Sequence, residues 1–575
     1  MEERNSDRTP RRVLVIGIDA ATMDLIRPWA ETGRLPTFAR LFREGASGLL
    51  RSVPNRNSAA AWTSIMTGKN PGKHGIFFFT ENVEESLDYR YVNGSFRDGA
   101  TLWRLLGDAG LRVGVMNVPM TYPADEVNGF LIGGMDAPSV DDARLTYPPD
   151  LYRELRANVG EYTIEVGLGS YVKAGKLDEG VRALQQTTER RLAAARYLMA
   201  TRPWDFFMVV FRNADPAQHY FWKYMEPQWF QVDRRDVERY GSVIPDVYRQ
   251  IDAAIGELIE LAGEDTIVML VSDHGGCPNT AKATALPGWL EAMGMLRYEQ
   301  AAQASPGERL RRLGWNVLAQ AYRQVDKRFS REFKKRLSHR FPSLRTKTEA
   351  HAVYSRIDWS VTKAYGDGRQ PEIWINLRGR QPYGIVEPGE EYEQVCAAIT
   401  EKLYAARDSD SGRPLVKRVY RRDEVYHGKH AERSADLVIE WEKNAVTDRA
   451  HFGDGTAVLA ERNHSHYLLE RPYSGVHDPM GIFFLRGDPV RAGATVEGAT
   501  VMDIAPTVLY LMGQPVPDDM DGRILSEALE ESYVADRAPT TTEAPVGEPV
   551  ASATGYSEKD EAIIGDRLRG LGYID

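Results

Sequence analysis

One serine, Ser58, stands before three alanines and a tryptophan in the stretch NSAAAWTSIMTGKNPGKHG, which begins at Asn57. A serine hydroxyl is a weak nucleophile near neutral pH unless a base or a metal ion activates it. No Ser-His-Asp arrangement is evident around Ser58, so we consider activation by a metal ion. The alternative is that Ser58 only caps the helix that the following residues predict. The two interpretations are compatible, because one serine can begin a helix and also bind a metal.

Carboxylates and imidazoles that could hold a metal recur along the chain. Three aspartates follow apolar, strand-like segments, and three histidines accompany them: Asp19, Asp215 and Asp273, with His219, His274 and His477. Asp215 and His219 are four residues apart in NADPAQHYFW, so a helix here would place both on one face. Taken singly, each position has a structural alternative: an Asp after a strand also caps helices, and a loop His is often only a surface residue.

Taken together, these six residues predict a binuclear metal site. Asp and His donors suit Zn²⁺, with Mn²⁺ as an alternative, and six ligands are too many for one tetrahedral ion. Two ions roughly 3.5–4 Å apart can hold both the attacking and the leaving oxygen of a phosphoryl group. Ser58 would then be a further ligand and the nucleophile, while Ala59, Ala60 and Ala61 leave room beside it.

Apolar strand patterns that alternate with helical patterns must position these residues. RRVLVIGIDA, RVGVMNVP, WDFFMVVFRNAD and DTIVMLVSDHGG each contain a continuous apolar run, which is typical of buried parallel strands. The chain is therefore predicted to be α/β, with a mostly parallel sheet and helices on both faces. Functional residues in such sheets gather at the carboxyl ends of the strands, where three of these segments carry an Asp.

The pattern divides the chain into several parts. We predict a polar tail, a catalytic core in two pieces, an insertion or cap region, a flexible linker rich in Pro, Thr and Ala, and a C-terminal helix: residues 1–10, 11–276 with 431–530, 277–430, 531–556 and 557–575. The insertion is predicted to be helical around 308–349, which holds 13 Lys/Arg against 4 Asp/Glu. We interpret that segment as a solvated helical hairpin, with weak contact to an anionic membrane surface as the alternative.

Composition excludes several classes of protein. The chain has 575 residues and a formal charge of −10, which argues against a nucleic-acid binder. Two cysteines, Cys277 and Cys396, do not make a disulfide scaffold. The polar start lacks the apolar segment of a signal peptide, and there is no apolar run near 18 residues, so the cytoplasm is the expected compartment.

The ordered motifs IGIDA, NSAAAWTSIMTGKNPGKHGI, DPAQHYFW, SDHGG, GVHDPMGIFFLRG and DIAPTVLYLMGQPVPDDMDG resemble the alkaline phosphatase superfamily. They are most similar to its type I phosphodiesterase/nucleotide pyrophosphatase branch, and the resemblance covers most of residues 11–530. It implies an alkaline-phosphatase-like core with two metal ions. One ion would be held by Asp19, Ser58, Asp273 and His274, and the other by Asp215, His219 and His477.

The sequence departs from that branch at two places. The nucleophile is commonly Thr, whereas here it is Ser58. Nucleotide pyrophosphatases of this branch also carry an Asn soon after HGI that binds a phosphate oxygen, where this chain has Phe79, with Asn82 as a substitute. Together with Trp62, these residues are the candidates for substrate binding, and for Trp62 a place in the core is the alternative. The sulfatase branch is excluded because SAAAW lacks the Pro and Arg that follow its nucleophile.

These observations predict a metal-dependent hydrolase of phosphodiester or pyrophosphate bonds that acts through a Ser58 phosphoenzyme. The expected substrate is a small-molecule, lipid or glycan phosphodiester. The nearest alternative is a phosphoryl or head-group transferase, or a phosphomutase, of the same fold. A second alternative is a non-catalytic, metal-bound protein that binds anionic surfaces, although a purely structural site needs no serine nucleophile.

Overall fold

The computed structural model describes residues 11–575 except 84–88, 282–284, 300–353, 355, 367, 369, 448, 460–472, 546–554, 572 and 574–575. The basic segment 308–349, for which a helical hairpin or a membrane contact is predicted, therefore lies outside the described residues. No helix in the described ranges combines the length and the apolar character needed to cross a membrane.

The described chain alternates strands and helices over most of its length. The strands are β1 Arg12–Ile18, β2 Ala46–Arg51, β3 Thr80–Asn82, β4 Tyr89–Tyr91, β5 Val113–Val118, β6 Gly129–Gly133, β7 Thr146–Tyr147, β8 Phe206–Phe211, β9 Thr266–Val271, β10 Gly275–Pro278, β11 Ala364–Tyr365, β12 Glu372–Ile375, β13 Arg407–Asp408, β14 Val416–Arg421, β15 Leu437–Trp441, β16 Arg449–His451, β17 Ala457–Leu459, β18 Gly475–Asp478, β19 Met480–Arg486, β20 Thr495–Thr500, β21 Val516–Pro517 and β22 Thr541–Thr542. The helices are α1 Met23–Glu31, α2 Pro36–Glu44, α3 Ser58–Thr67, α4 Pro71–His74, α5 Leu102–Asp108, α6 Leu151–Asn158, α7 Leu168–Lys173, α8 Leu177–Thr201, α9 Ala214–Met225, α10 Arg234–Tyr240, α11 Val243–Ala262, α12 Leu286–Ala292, α13 Glu390–Ala405, α14 Arg422–Val425, α15 Ile504–Leu511, α16 Glu531–Ala535 and α17 Glu558–Leu571.

A nine-stranded sheet forms the centre of the molecule, in the order β20-β2-β19-β9-β1-β8-β5-β6-β7. β9, β1, β8, β5 and β6 are neighbours that all pair in parallel. β19 pairs antiparallel to β9 and to β2, and β7 pairs antiparallel to β6. The predicted α/β fold with a mostly parallel sheet is confirmed.

Both faces of this sheet are buried, as the continuous apolar runs predict. Along β1, Val13 and Val15 belong to the apolar cluster on one face, whereas Leu14 and Ile16 belong to the cluster on the other. The alternation follows from the two-residue period of a strand, which sends successive side chains to opposite faces. The central sheet is therefore packed against apolar side chains on both faces.

A smaller sheet, β11-β12-β15-β14, is antiparallel and packs with α13 around its own apolar cluster. This cluster extends from Ala285 to Phe452, so it runs past the predicted insertion boundary at residue 430. The described part of the predicted helical insertion is therefore mixed α/β. The strand patterns PEIWINLRG and ADLVIEWEK mark β12 and β15.

The C-terminal region returns to the central sheet. A flexible linker is predicted over residues 531–556, but its first part contains regular structure. Helix α16 and strand β22 lie there, and β22 pairs with β21. After it, α17 contributes Ile564, Leu568 and Leu571 to the same apolar cluster as Val13 and Val15. The last helix is thus part of the core, although it follows the linker region in sequence.

Candidate active site

Three neighbouring parallel strands bring the predicted aspartates together. Asp19 directly follows β1, Asp273 follows β9 after one residue, and Asp215 is the second residue of α9, just beyond β8. Because β9, β1 and β8 are adjacent and parallel, their carboxyl ends meet at one edge of the sheet. His477 reaches the same place from β18, which pairs with β10 at the register Gly276↔His477.

Ser58 is the first residue of α3, but it does not cap that helix. Asn57 is the cap: its side chain accepts a hydrogen bond from the Ala59 N–H at 3.0 Å. The Ser58 hydroxyl is fully buried and lies 3.1 Å from His274 Nε2. The alternative interpretation of Ser58 as a helix cap is therefore wrong, and its hydroxyl faces His274 instead of the helix backbone.

The six candidate ligands form two groups, each with its donor atoms within 4.8 Å of one another: Asp19, Asp273 and His274, and Asp215, His219 and His477. In the first group His274 Nε2 lies 3.3 Å from Asp273 Oδ2 and 3.7 Å from Asp19 Oδ1. In the second, Asp215 Oδ1 lies 3.0 Å from His219 Nε2 and 3.4 Å from His477 Nε2. The grouping is the one that the family resemblance implies.

The two groups are adjacent. The rings of His274 and His477, one from each group, stack with centroids 3.7 Å apart at an angle of 20°. The first group is shielded from solvent, because Asp19, Asp273 and His274 have no exposed surface. Two ions held here would be neighbours beside Ser58.

All three histidines present Nε2 to the site. Each binds a main-chain carbonyl oxygen through Nδ1: His219 that of Gly475 at 2.8 Å, His274 that of Gly275 at 2.9 Å and His477 that of Arg56 at 2.7 Å. A carbonyl oxygen only accepts, so Nδ1 carries the hydrogen and the Nε2 lone pair of the neutral ring points inward. His219 Nε2 and His477 Nε2 are then two lone pairs only 3.1 Å apart, which a cation between them would stabilise.

Buried carboxylate oxygens at the site lack hydrogen-bond donors. Among the described residues, none donates with suitable geometry to Asp19 Oδ1, to Asp273 Oδ2 or to either oxygen of Asp215. Buried polar atoms without partners are costly, and a charged oxygen especially so. Orphaned carboxylate oxygens beside inward-pointing imidazole lone pairs are the donor set of divalent metal ions, so the residues fit two such ions.

The electrostatics lead to the same conclusion. Burial, together with the charges of Asp19 and Asp215, raises the pKa of Asp273 well above its usual range. Burial would also raise the pKa of Asp215, but His219 and His477 hold it well below its usual range; burial would lower the pKa of His219, but Asp215 raises it. Asp215 therefore attracts a proton to His219 in the absence of an ion, an attraction that a divalent cation between them would replace. Burial lowers the pKa of His274, so its ring stays neutral. Negative charge is therefore crowded at the first group, which a divalent cation would relieve.

Three further residues at the site are not among the candidates that the sequence predicts: Glu165, Arg212 and Tyr573. Arg212 is fully buried and binds Asp19 Oδ2 through Nε at 2.7 Å and Glu165 through Nη1 at 2.6 Å. The hydroxyl of Tyr573 lies 2.8 Å from Ser58 Oγ and 3.1 Å from Arg212 Nη2. Arg212 could have been noticed, because a charge directly after the buried run FFMVVF is unusual; Glu165 and Tyr573 have no comparable local signal.

The predicted substrate-binding residues occupy different positions. Trp62 is fully buried: its indole N–H donates to Asp19 Oδ2 at 3.3 Å, and a Cβ on Gly17 would meet its ring at 2.4 Å. Trp62 therefore lies in the core, where it orients the candidate ligand Asp19. It does not occupy a substrate-facing position. Phe79 is also buried, with its ring 4.6 Å from that of Tyr573. Asn82 lies exposed on β3, and its contact with substrate stays a prediction.

The chain is similar to several known proteins. Residues 13–457 match the sequence profile of the family described as type I phosphodiesterase / nucleotide pyrophosphatase. A curated relative is the 2,3-bisphosphoglycerate-independent phosphoglycerate mutase of Chromohalobacter salexigens, 24% identical over 174 residues, which span 29% of this chain and 33% of the mutase. The match thus covers about a third of that relative's length.

Solved structures with a similar arrangement include two that carry ligands. Inactive murine ectonucleotide pyrophosphatase/phosphodiesterase 5 in complex with AMP aligns with a TM-score of 0.45 and 14% identity, over 90% of this chain and 100% of that one. Phosphonoacetate hydrolase from Sinorhizobium meliloti 1021, in complex with phosphonoformate, aligns with a TM-score of 0.49 and 14% identity, over 88% of this chain and 96% of that one.

Proposed function

The chain belongs to the type I phosphodiesterase/nucleotide pyrophosphatase family, and from this premise we propose that it is a metal-dependent hydrolase of phosphodiester or pyrophosphate bonds. The nucleophile is Ser58, and the substrate class is small-molecule, lipid or glycan phosphodiesters. One observation carries the proposal: two groups of unpartnered carboxylate oxygens and imidazole lone pairs lie beside a buried serine hydroxyl that has no capping role.

Each group holds one ion in this proposal. Asp19, Asp273 and His274, with Ser58 Oγ, hold the first, and Asp215, His219 and His477 hold the second. Zn²⁺ suits these donors best, with Mn²⁺ as the alternative. When bound, such ions lower the pKa of a coordinated hydroxyl and offset charge on the phosphoryl oxygens.

The reaction proceeds in two displacements. Ser58 Oγ gives up its proton to water and attacks phosphorus, so that an Oγ–P bond forms while the bond from phosphorus to the leaving oxygen breaks. The leaving oxygen takes that electron pair. Water then attacks the phosphoryl–serine intermediate, the P–Oγ bond breaks, and its electron pair and a proton return to Ser58.

The second group is the more open side of the site. The side chains of His219 and His477 keep 11% and 13% of their exposure, whereas those of Asp19, Asp273 and His274 keep none. We infer that the substrate enters past His219 and His477. The leaving group then faces the second group of ligands, opposite Ser58.

Ser58→Ala tests the covalent mechanism. Turnover of a phosphodiester should fall by orders of magnitude, while the fold changes little because Asn57 still caps α3. The first ion keeps its other three proposed ligands, Asp19, Asp273 and His274. Ser64→Ala is the matched control: Ser64 lies on the same helix, and its hydroxyl is 3.0 Å from His74 Nε2 rather than at the site. Near-normal turnover of Ser58→Ala would show that Ser58 is not the nucleophile.

Metal dependence has its own test. Elemental analysis of gently purified protein should find close to two divalent ions per chain, and a chelator should abolish turnover. A protein that carries no metal and works unchanged with chelator would overturn the binuclear site.

The charges favour diesters over monoesters. Four carboxylates, those of Asp19, Glu165, Asp215 and Asp273, lie at the site, and Arg212 pairs with Asp19 and Glu165. Two divalent ions would offset much of this negative charge, but the Ser58 oxygen adds one more when it loses its proton. Little positive charge is then left in excess, which suits a diester monoanion better than a monoester dianion. We therefore expect kcat/KM for a bis-aryl phosphate to exceed that for the matching aryl monophosphate. A clear preference for the monoester would reverse this assignment.

A transferase or phosphomutase of the same fold is the second candidate, favoured by the partial match to a phosphoglycerate mutase. In a transferase an alcohol takes the place of water in the second displacement. Product analysis in the presence of glycerol separates the two: a phosphoglycerol product in large excess over hydrolysis would favour transfer.

A further inference from the structure

The C-terminal helix α17 is held against the rest of the protein by specific hydrogen bonds and by apolar packing. Arg567 donates hydrogen bonds to the carbonyl oxygens of Met135 at 2.7 Å and Pro138 at 3.1 Å. The Tyr220 hydroxyl donates to the Gly570 carbonyl oxygen at 3.1 Å. The backbone of Gly169 approaches this carbonyl so closely that a Cβ would lie 2.4 Å from the oxygen. Such specific contacts fix where the residues after α17 lie.

Beyond α17, Tyr573 enters the site itself. Only 3% of Tyr573 is exposed, and its ring packs on that of Phe79. Its hydroxyl is within hydrogen-bonding distance of two groups, Ser58 Oγ at 2.8 Å and Arg212 Nη2 at 3.1 Å. A residue from the end of the chain therefore touches the proposed nucleophile.

The chemistry of the partners fixes the direction of these hydrogen bonds. A guanidinium only donates, so the Tyr573 oxygen accepts from Arg212 Nη2. The single Tyr573 hydrogen is then free to point at Ser58 Oγ. In the metal-bound enzyme that we propose, the His274 Nε2 lone pair, 3.1 Å from Ser58 Oγ, would hold the first ion, and Ser58 would lose its hydrogen on activation. Ser58 Oγ would then only accept, so Arg212 donates to Tyr573 and Tyr573 to Ser58 without conflict.

We propose that Tyr573 is a catalytic residue whose hydroxyl donates a hydrogen bond to Ser58 Oγ and stabilises negative charge on that oxygen. The inference rests on the proposed function, because it requires Ser58 to be the nucleophile. The charge is largest when the P–Oγ bond of the intermediate breaks and Oγ takes the electron pair. The hydrogen bond therefore accelerates the second displacement most.

The surroundings make this hydrogen bond strong. Ser58 and Arg212 are fully buried, so water competes little for the donor. Arg212 withdraws electron density from the Tyr573 oxygen and so makes its hydrogen a better donor. The carboxylates of Asp19 and Glu165 hold the guanidinium in place through Nε and Nη1, which leaves Nη2 for the tyrosine.

Tyr573→Phe is the test, with Tyr556→Phe as the matched control. Both changes remove one hydroxyl and keep the ring in the same C-terminal segment, but the Tyr556 hydroxyl donates to the Asp136 carbonyl oxygen at 2.6 Å. Rapid quenching of the metal-loaded, full-length enzyme with a nitrophenyl phosphodiester, followed by mass spectrometry of the Ser58 peptide, gives the rates of formation and decay of the intermediate.

We expect decay to slow roughly 10- to 100-fold in Tyr573→Phe, as for loss of a hydrogen bond to a charged oxygen, so that the intermediate accumulates. Tyr556→Phe should behave as wild type, because a merely structural hydroxyl does not affect the balance between the two steps. Unchanged decay in Tyr573→Phe would overturn the proposal.

Faster turnover of Tyr573→Phe would overturn it as well, and would show that the tyrosine obstructs the nucleophile. If the proposed function itself is wrong, the experiment gives another result: no phosphoryl group is found on Ser58 in wild type or in Tyr573→Phe. An intermediate on Ser58 that decays equally fast in both proteins overturns only the role of Tyr573.

Discussion

At the scale of single residues, the site divides tasks between neighbouring atoms. Asn57 caps α3, which leaves the Ser58 hydroxyl free. The two oxygens of Asp19 also have different roles. Oδ2 accepts hydrogen bonds from Arg212 and Trp62, while Oδ1 has no donor among the described residues. The held oxygen fixes the orientation of the carboxylate, and the free oxygen is then available to a cation.

The prediction at the scale of single residues concerns the stability that Arg212 contributes. Arg212→Met leaves the buried carboxylates of Asp19 and Glu165 without their counter-charge, so we expect the free energy of unfolding to fall by about 3–5 kcal/mol. The double variant Arg212→Met/Glu165→Leu should recover part of this loss, because it removes one of the two uncompensated charges. Urea denaturation measures both, and a double variant less stable than the single one would contradict the argument.

At the scale of elements, adjacent strand ends and one close helix contact create the site. β9, β1 and β8 deliver the aspartates, β18 delivers His477, and α3 delivers Ser58. The C-terminal helix α17 depends on a backbone approach at Gly169, where no side chain fits. The position of this helix is therefore sensitive to a single methyl group.

Gly169→Ala tests that sensitivity. The added Cβ would lie 2.4 Å from both the Gly570 carbonyl oxygen and the Tyr220 hydroxyl, so α17 must shift. We expect faster amide hydrogen exchange across Glu558–Leu571 and weaker activity. Gly107→Ala in α5 is the control, since its Cβ would meet only Asn128 at an ordinary 3.5 Å. Equal exchange of α17 in both variants would show that the close contact does not hold the helix.

At the scale of the whole molecule, the small sheet is joined to the central one by polar contacts near the site. Arg56 Nη2 donates to the Ile439 carbonyl oxygen at 2.8 Å, and the His430 N–H donates to the Gly72 carbonyl oxygen at 2.8 Å. The main-chain carbonyl oxygen of Arg56 also accepts a hydrogen bond from His477 Nδ1. The orientation of one candidate ligand is thus tied to the contact between the two sheets.

Acid should destabilise the fold through His74. Burial, with the positive charges of Arg97, His430 and Lys69, lowers the pKa of His74 to about 3. The unfolded chain binds this proton near pH 6.5 and the folded chain does not, so the free energy of unfolding falls as pH drops below 6.5. The loss approaches about 1.4 kcal/mol per pH unit until the folded pKa is reached.

The measurement is urea denaturation of chelator-treated protein between pH 8 and 4.5, for wild type and His74→Gln. Chelation matters because metal binding depends on pH by itself. His74→Gln should be less stable at pH 8 but lose less stability on acidification. Parallel pH curves for the two proteins would contradict the assignment.

Metal binding should stabilise the whole fold, because the unfolded chain has no preformed site. Ions at about 1,000 times their Kd contribute about 4 kcal/mol. We expect chelation to lower the Tm by several degrees and Zn²⁺ to restore it. In Asp215→Asn the shift should be smaller, since one group has lost a charged ligand. An equal shift in this variant would mean that the ions bind elsewhere.

Local patterns in the sequence determined the elements and most of the site. Continuous apolar runs specify buried parallel strands wherever they occur, and an Asp at the end of such a run must lie at the sheet edge. Asp19, Asp215 and Asp273 could therefore be placed together, and the order of the motifs identified the family. The pattern leaves Trp62 open between substrate and core, because an aromatic residue near a nucleophile has the same pattern in both places.

Only the tertiary structure decided which distant residues complete the site. Tyr573 and Ser58 are 515 positions apart, and Arg212 and Asp19 are 193 apart. No periodicity or spacing links such pairs, because a strand or helix pattern reports only on the few residues that share its turn or face. Their contact follows from how α17 and the strand ends pack, and packing is a property of the assembled chain.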